Sequence, residues 1–110
     1  MRFRMNKTVL LIATFDTKEA EARFLKGRIE ARGLRVLTMD TGILAPPQSQ
    51  VDIEQNQVAL RGGISLREAV ATGDKGKCIL NMLRGAEMIT RELYEQGKFH
   101  GVISIGGAQG

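Results

Sequence analysis

The chain has 110 residues, 43% hydrophobic and 25% charged, which suits one small globular domain with a core but little margin. Its formal charge of +4 comes from sixteen Lys and Arg scattered among twelve acids, and the local basic cluster is confined to residues 2–7. With no Trp and one Tyr, stacking surfaces for single-stranded nucleic acid are scarce, which argues against that partner.

The stretch from Thr8 to Ala13 is continuously apolar, as expected of a parallel strand covered on both faces. It is too short, and its flanks are wrong, for a secretory leader or a membrane span. Asp16 then offers a helix cap, with Glu19 three residues on to complete a capping box. The predicted helix runs to Arg32. Its charged stripe is Glu19, Arg23, Lys26 and Glu30, its apolar stripe is Ala22, Leu25 and Ile29, and Gly33 is its stop. Leu34 to Asp40 reads as a second strand, and Arg35 sets it nearer an edge than the first.

Thr41 to Gly63, broken by Pro46-Pro47, is the least structured stretch, with a short helix within Asp52 to Leu60. So long a connection in a small domain is functional or mobile. Ser65 and Glu68 start one or two helical turns over Ile64 to Ala71. Asp74 caps a long helix reaching Gln96, whose face carries Cys78, Met82, Ala86, Ile89 and Leu93. Gly85 in mid-helix costs about 1 kcal/mol relative to Ala, and close packing is the usual reason to keep such a glycine. Cys78, the single cysteine, falls in the apolar stripe as a buried structural thiol and fits a reducing, cytoplasmic compartment. Gly97 ends the helix. Gly101 to Ile105 is the last strand, and it empties into Gly106-Gly107-Ala108-Gln109-Gly110.

This β-α-β-(loop, short helix)-α-β order defines an α/β, Rossmann-like fold: a three-stranded parallel sheet in the order 2-1-3 with flanking helices. Ligands of such sheets collect at the carboxyl ends of the strands. Three clusters fall there: Thr14-Phe15-Asp16-Thr17-Lys18, Asp40-Thr41-Gly42, and the glycine turn. The hydroxyls of Thr14 and Thr17 and the Lys18 ammonium suit a phosphate. Asp16 would repel one unless it caps the helix or shares a divalent cation with the ligand. Asp40, 24 residues beyond Asp16, stands where an acidic residue grips a ribose in dinucleotide folds, or where a solvated loop begins. A glycine turn after a strand lets backbone N–H groups approach an anion, and a helix should follow it. Two readings of it stay open. It is a ligand loop at the end of a half-domain, residues 1–110, truncated after the turn, or it is a solvated tail. No Walker-type Lys-Ser/Thr, HExxH, GxSxG or CxxC accompanies these clusters, and the single His100 leaves little for general-base catalysis.

Four segments taken together carry a resemblance. They are Ile12 to Lys18, Met39 to Leu44, Asp74 to Lys77 leading to Met82 through Ala86, and Gly101 to Gly110. In this order and spacing they resemble the N-terminal part of the Tm-one-like ATP-binding domain family, an uncharacterised family that includes a plant tobamovirus-resistance protein. Lys75 stands where that family is expected to carry Arg. The resemblance implies a nucleotide-binding module for ATP, forming the N-terminal fragment of a larger two-domain protein; magnesium is the candidate for the divalent cation that Asp16 would share with the ligand. Its nucleotide contacts would be Thr14, Asp16, Thr17, Lys18, Asp40, Gly106 and Gly107. Two alternatives stay open: an enzyme whose catalytic residues lie in a C-terminal region, and an interaction module that nucleotide stabilises. The uncovered flank of a three-stranded sheet further predicts homo-oligomers.

Overall fold

The computed structural model describes residues 7–106, so Gly107 and the rest of the glycine turn lie outside the described residues. Strands β1 (Thr8–Ala13), β2 (Arg35–Asp40) and β3 (Gly101–Ile105) form one parallel sheet in the order β2-β1-β3. Leu10 stands level with Leu37 on one side and Val102 on the other. The continuous apolar run of β1 is explained by its central place. Leu11 and Ala13 face helix α1 (Phe15–Glu30) together with Phe15 and Ala22. Leu10 and Ile12 face the opposite layer, packing with Met39, Val58, Ala59, Met82 and Ile89. That layer holds α2 (Gln55–Gly62), α3 (Leu66–Ala71) and α4 (Lys75–Glu95).

The capping box expected of Asp16 and Glu19 does not form. The residue before α1 is Thr14, whose side chain caps nothing, while its carbonyl accepts the N–H groups of Thr17 and Lys18 at 3.2 and 2.8 Å. Both carboxylates turn instead to the β2–α2 loop. Asp16 Oδ2 accepts from the backbone of Ile43 and Leu44 at 3.1 and 3.0 Å. Glu19 accepts from the backbone of Gln48 and Ser49 and from the Ser49 hydroxyl. Each carboxylate takes two backbone N–H groups of the loop, where a cap would satisfy one, so the long-range partners win.

The stretch predicted to be least structured is therefore tied down. Ile53 forms a parallel bridge to Met39, accepting from Asp40 N–H and donating to the Thr38 carbonyl at 2.9 Å each. The Asp52 carboxylate accepts from both the N–H and the hydroxyl of Thr38. The outer edge of β2 is closed by these contacts. The capping predictions at Ser65 and Asp74 hold: Ser65 and Glu68 form a reciprocal box, and Asp74 accepts from Lys77 N–H at 3.1 Å. Gly33 and Gly97 follow their helices with positive φ, the conformation glycine adopts without strain. Gly85 sits where α4 crosses α2, and a Cβ there would lie 1.8 Å from the Val58 carbonyl oxygen. Close helix approach is its purpose. Cys78 is buried in α4 as a free thiol.

β3 departs from the pattern of a buried strand. Val102 is 54% exposed and Ile103 37% exposed, because no helix covers this flank among the described residues. Within the same residues no helix is long and apolar enough to cross a membrane.

Candidate functional site

Between α4 and the β1–β3 face of the sheet runs a groove of about 1150 Å³. Helix α4 leads into β3 and lies antiparallel to it, so its first turn stands at the carboxyl end of the sheet and its last turn at the opposite end. At the carboxyl end the lining residues include Thr14, Asp16, Thr17, Gly42, Lys75 and Gly106. The middle is apolar, with Ile12, Ile79, Met82 and Leu83, and the far end carries Thr90, Arg91 and Tyr94.

The polar end is built by three connections meeting. Thr14 and Thr17 bring their hydroxyl oxygens to 3.5 Å of each other on the first turn of α1. Of the opening N–H groups of α1, that of Phe15 is taken by Asp40, and those of Thr17 and Lys18 by the Thr14 carbonyl. What α1 offers an anion is therefore chiefly its two hydroxyls. Opposite them Lys75 adds an ammonium at the start of the 21-residue α4, where the helix dipole also favours negative charge. Gly106 supplies the backbone at the end of β3.

Asp16 holds the loop wall in place. Its Oδ2 is shared by two backbone N–H groups, while its Oδ1 is buried with no partner among the described residues. Gly42 packs flat on this carboxylate, and a Cβ there would lie 2.7 Å from Asp16 Cγ. Among the described residues no three His, Cys, Asp or Glu side chains gather as a metal site, so any cation would depend on this carboxylate and on ligand oxygens. Such sparse protein ligation is the habit of magnesium beside phosphates.

Asp40 is neither solvated nor open to a ribose. It is fully buried, with Oδ1 accepting from Phe15 and Gly42 N–H at 3.1 and 2.8 Å, and Oδ2 accepting from the Gln55 amide at 3.0 Å. Burial pushes its carboxyl above the usual carboxylate range, against the pull of these three donors. Its work is to fix the strand end and the turn that follows. Lys18 also falls outside the groove wall, at a residue whose φ of −125° and ψ of 26° break the helical run. Of the expected contacts, Thr14, Asp16, Thr17 and Gly106 converge, Asp40 and Lys18 do not, and Gly107 lies outside the described residues. Lys75 was not foreseen as a lining residue. Its place, beside the Asp74 cap of the longest helix, was the available signal.

His100 has a structural part, its Nδ1 accepting from Thr8 N–H at 3.0 Å while its backbone N–H donates to the Thr8 carbonyl at 2.7 Å. A smaller depression of about 490 Å³ lies on the α1 side, between Arg23, Lys26 and the 48–50 segment. Its Lys26 is paired with Glu30 at 3.0 Å, and it is lined by none of the strand-end glycines.

A parallel three-stranded sheet with helices on both faces defines the class: an α/β domain of Rossmann-like build, with the groove opening at the carboxyl ends of its strands. Within that class the chain belongs to the uncharacterised protein family UPF0261, whose N-terminal domain model matches residues 7–110. A UPF0261 protein of Clostridium tetani is 32% identical over 106 residues, covering 96% of this chain and 26% of the relative. A UPF0261 protein of Brucella suis is 30% identical over 102 residues, covering 93% of this chain and 24% of the relative. The chain thus spans about a quarter of the length of the curated relatives it matches. No solved structure matches it.

Proposed function

We propose that this chain is a nucleotide-binding module that takes ATP with magnesium at the polar end of the groove. We further propose that it is the N-terminal domain of a larger, two-domain, cytoplasmic protein. The observation that carries the nucleotide reading is the meeting of Thr14, Thr17, Lys75 and Gly106 around one opening at the strand ends. Hydroxyls, an ammonium, a helix N-terminus and glycine backbone are the donors a polyphosphate needs. The buried, unpartnered Asp16 Oδ1 supplies a ligand atom for the cation, which would offset the repulsion between this carboxylate and the phosphates. The resemblance of Ile12 to Lys18 and of Gly101 to Gly110 to the Tm-one-like ATP-binding domain family supports the same reading. The relatives, about four times as long, support the larger protein.

Titration of the isotope-labelled chain with Mg-ATP to several millimolar, followed by amide chemical shifts, tests it even where affinity is weak. Shifts should concentrate at Thr14, Thr17, Gly42, Lys75 and Gly106, and inorganic triphosphate should reproduce most of them. Shifts confined to residues 2–7, or none, would show that the groove end has no preference for polyphosphate.

A further inference from the structure

The two outer edges of the sheet are unlike. That of β2 is occupied by the Ile53 bridge and by the Thr38–Asp52 clamp, so no further strand can pair there along its carboxyl half. Among the described residues that of β3 has no strand beside it in the sheet, and the strand is half-exposed. Any added strand must therefore join beside β3. Parallel crossovers are right-handed in nearly every known case. The step from β2 across β1 to β3 uses helices on the α4 face. A further step outward from β3 continues in the same direction, so its helix must lie on that face too.

That is the face of the groove. Val102 lines it from the sheet at 54% exposure, and Leu83 lines it from α4 at 64%. Its volume exceeds the roughly 300–1000 Å³ of ordinary ligand pockets. A helix about 10 Å across would fill such a volume over about 15 Å, roughly ten residues. The relatives have about three quarters of their length beyond the part this chain matches. From the sealed β2 edge, the open β3 edge and the crossover rule, we infer that the apolar middle of the groove seats an amphipathic helix. That helix is contributed by the family chain directly after β3, and the strand that follows it pairs with the outer edge of β3. The polar end stays open to ligand. The inference does not rest on the nucleotide reading, since it concerns the apolar stretch and is tested without nucleotide.

The experiment measures thiol labelling of Val102→Cys and Leu83→Cys in this chain, diluted until ultracentrifugation shows a monomer. It compares them with cysteines at the aligned positions of the full-length Clostridium tetani relative. Phe24→Cys, on the exposed face of α1, is the control in both proteins. Groove thiols should label here as fast as the control, and at least about a hundredfold more slowly than it in the relative, as expected of a site that opens only by local unfolding. Hydrogen exchange of the two unmodified proteins gives the same comparison for the β3 amides, fast here and slow in the relative, should a cysteine variant fail to fold. Rapid labelling and exchange in the relative would overturn the inference, as would thiols already protected in the dilute monomer.

Discussion

Replacing Gly85 with alanine reverses the ordinary effect of that substitution in a helix. At an unobstructed interior position Gly→Ala gains about 0.8–1 kcal/mol, because glycine has more backbone freedom to lose. Gly85 is not unobstructed. Its Cβ would lie 1.8 Å from the Val58 carbonyl oxygen, 2.8 Å from the Val58 carbonyl carbon and 3.1 Å from Gly62 N. These are backbone atoms of α2 and cannot rotate away. Non-bonded contacts to carbon settle near 3.5 Å, so α2 and α4 must part by roughly 1.5 Å at the crossing. Val58, Ala59 and Met82, all buried, lose contact together, and overpacking of a core at a rigid site costs about 3 kcal/mol or more. For a domain of this size that lowers the melting temperature by about 12–24 °C. Gly27→Ala is the opposing control, since it lies on an exposed face of α1 where the new Cβ meets nothing within 4 Å. It should raise the melting temperature by several degrees. Thermal unfolding followed by circular dichroism reads both. If Gly85→Ala stabilises as Gly27→Ala does, α2 and α4 do not approach as described.

The remaining predictions concern pH, the site and the open edge. The Ser49 hydroxyl and backbone N–H hold the Glu19 carboxyl below its usual range, so its contribution is present above the unfolded pKa of about 4.3 and is lost as pH falls through the folded value. Burial raises the Asp40 carboxyl, so its ionisation costs stability as pH rises from about 3.9 through the folded value. The stability advantage of wild type over Glu19→Gln should therefore shrink towards acid, and that over Asp40→Asn should shrink towards neutral pH. Melting curves from pH 3 to 7 with both differences moving the same way would refute the assignment. In the Mg-ATP titration Lys75→Ala should weaken binding about tenfold or more, the scale of a charged hydrogen bond, and Lys18→Ala should weaken it less. The reverse ranking would move the phosphate to the α1 kink. Produced alone, the chain should dimerise through the β3 edge at tens of micromolar, and Val102→Lys should return it to a monomer. Sedimentation velocity decides this, a wild-type monomer at that concentration being the refuting result.

The sheet order and the four helix positions were legible because each rests on local chemistry. An apolar run with no polar alternation marks a central strand, and Ser65-x-x-Glu68 and the Asp74 cap mark helix starts from within a few residues. The 41–54 loop was not legible for the opposite reason. Its order comes from Asp16 and Glu19, carboxylates 27 to 30 residues away from the N–H groups they satisfy. In sequence those two residues fit a capping box equally well, and only the tertiary demand of the loop separates the two uses. Asp40 failed in the same way. An aspartate at a strand end is spelled alike whether it grips a ribose or knots its own turn, and burial with three internal donors decides for the turn. Lys75 became a wall of the groove through the length of α4 and its antiparallel run beside β3, distances no local pattern records.

The loop that escaped sequence reading also sets the direction in which the sheet can grow. The Asp52 carboxylate accepts from Thr38 N–H while the Thr38 hydroxyl accepts from Asp52 N–H at 2.8 Å, and Ile53 adds two backbone bonds to the β2 edge. An edge so occupied cannot recruit a strand from another molecule, which is how natural sheets avoid end-to-end association. Among the described residues β3 has no such guard: its Val102 and Ile103 are β-branched and part-exposed, with no Pro or charged residue on the strand. Among the described residues one edge is occupied and the other is open. The groove end with Thr14, Thr17 and Lys75 lies on the same face as the open flank of β3, whose Val102 lines the groove too. On the inference above, a helix seated on that flank borders the polar opening without filling it. A ligand held there should be held more tightly in the longer relatives than in this domain alone.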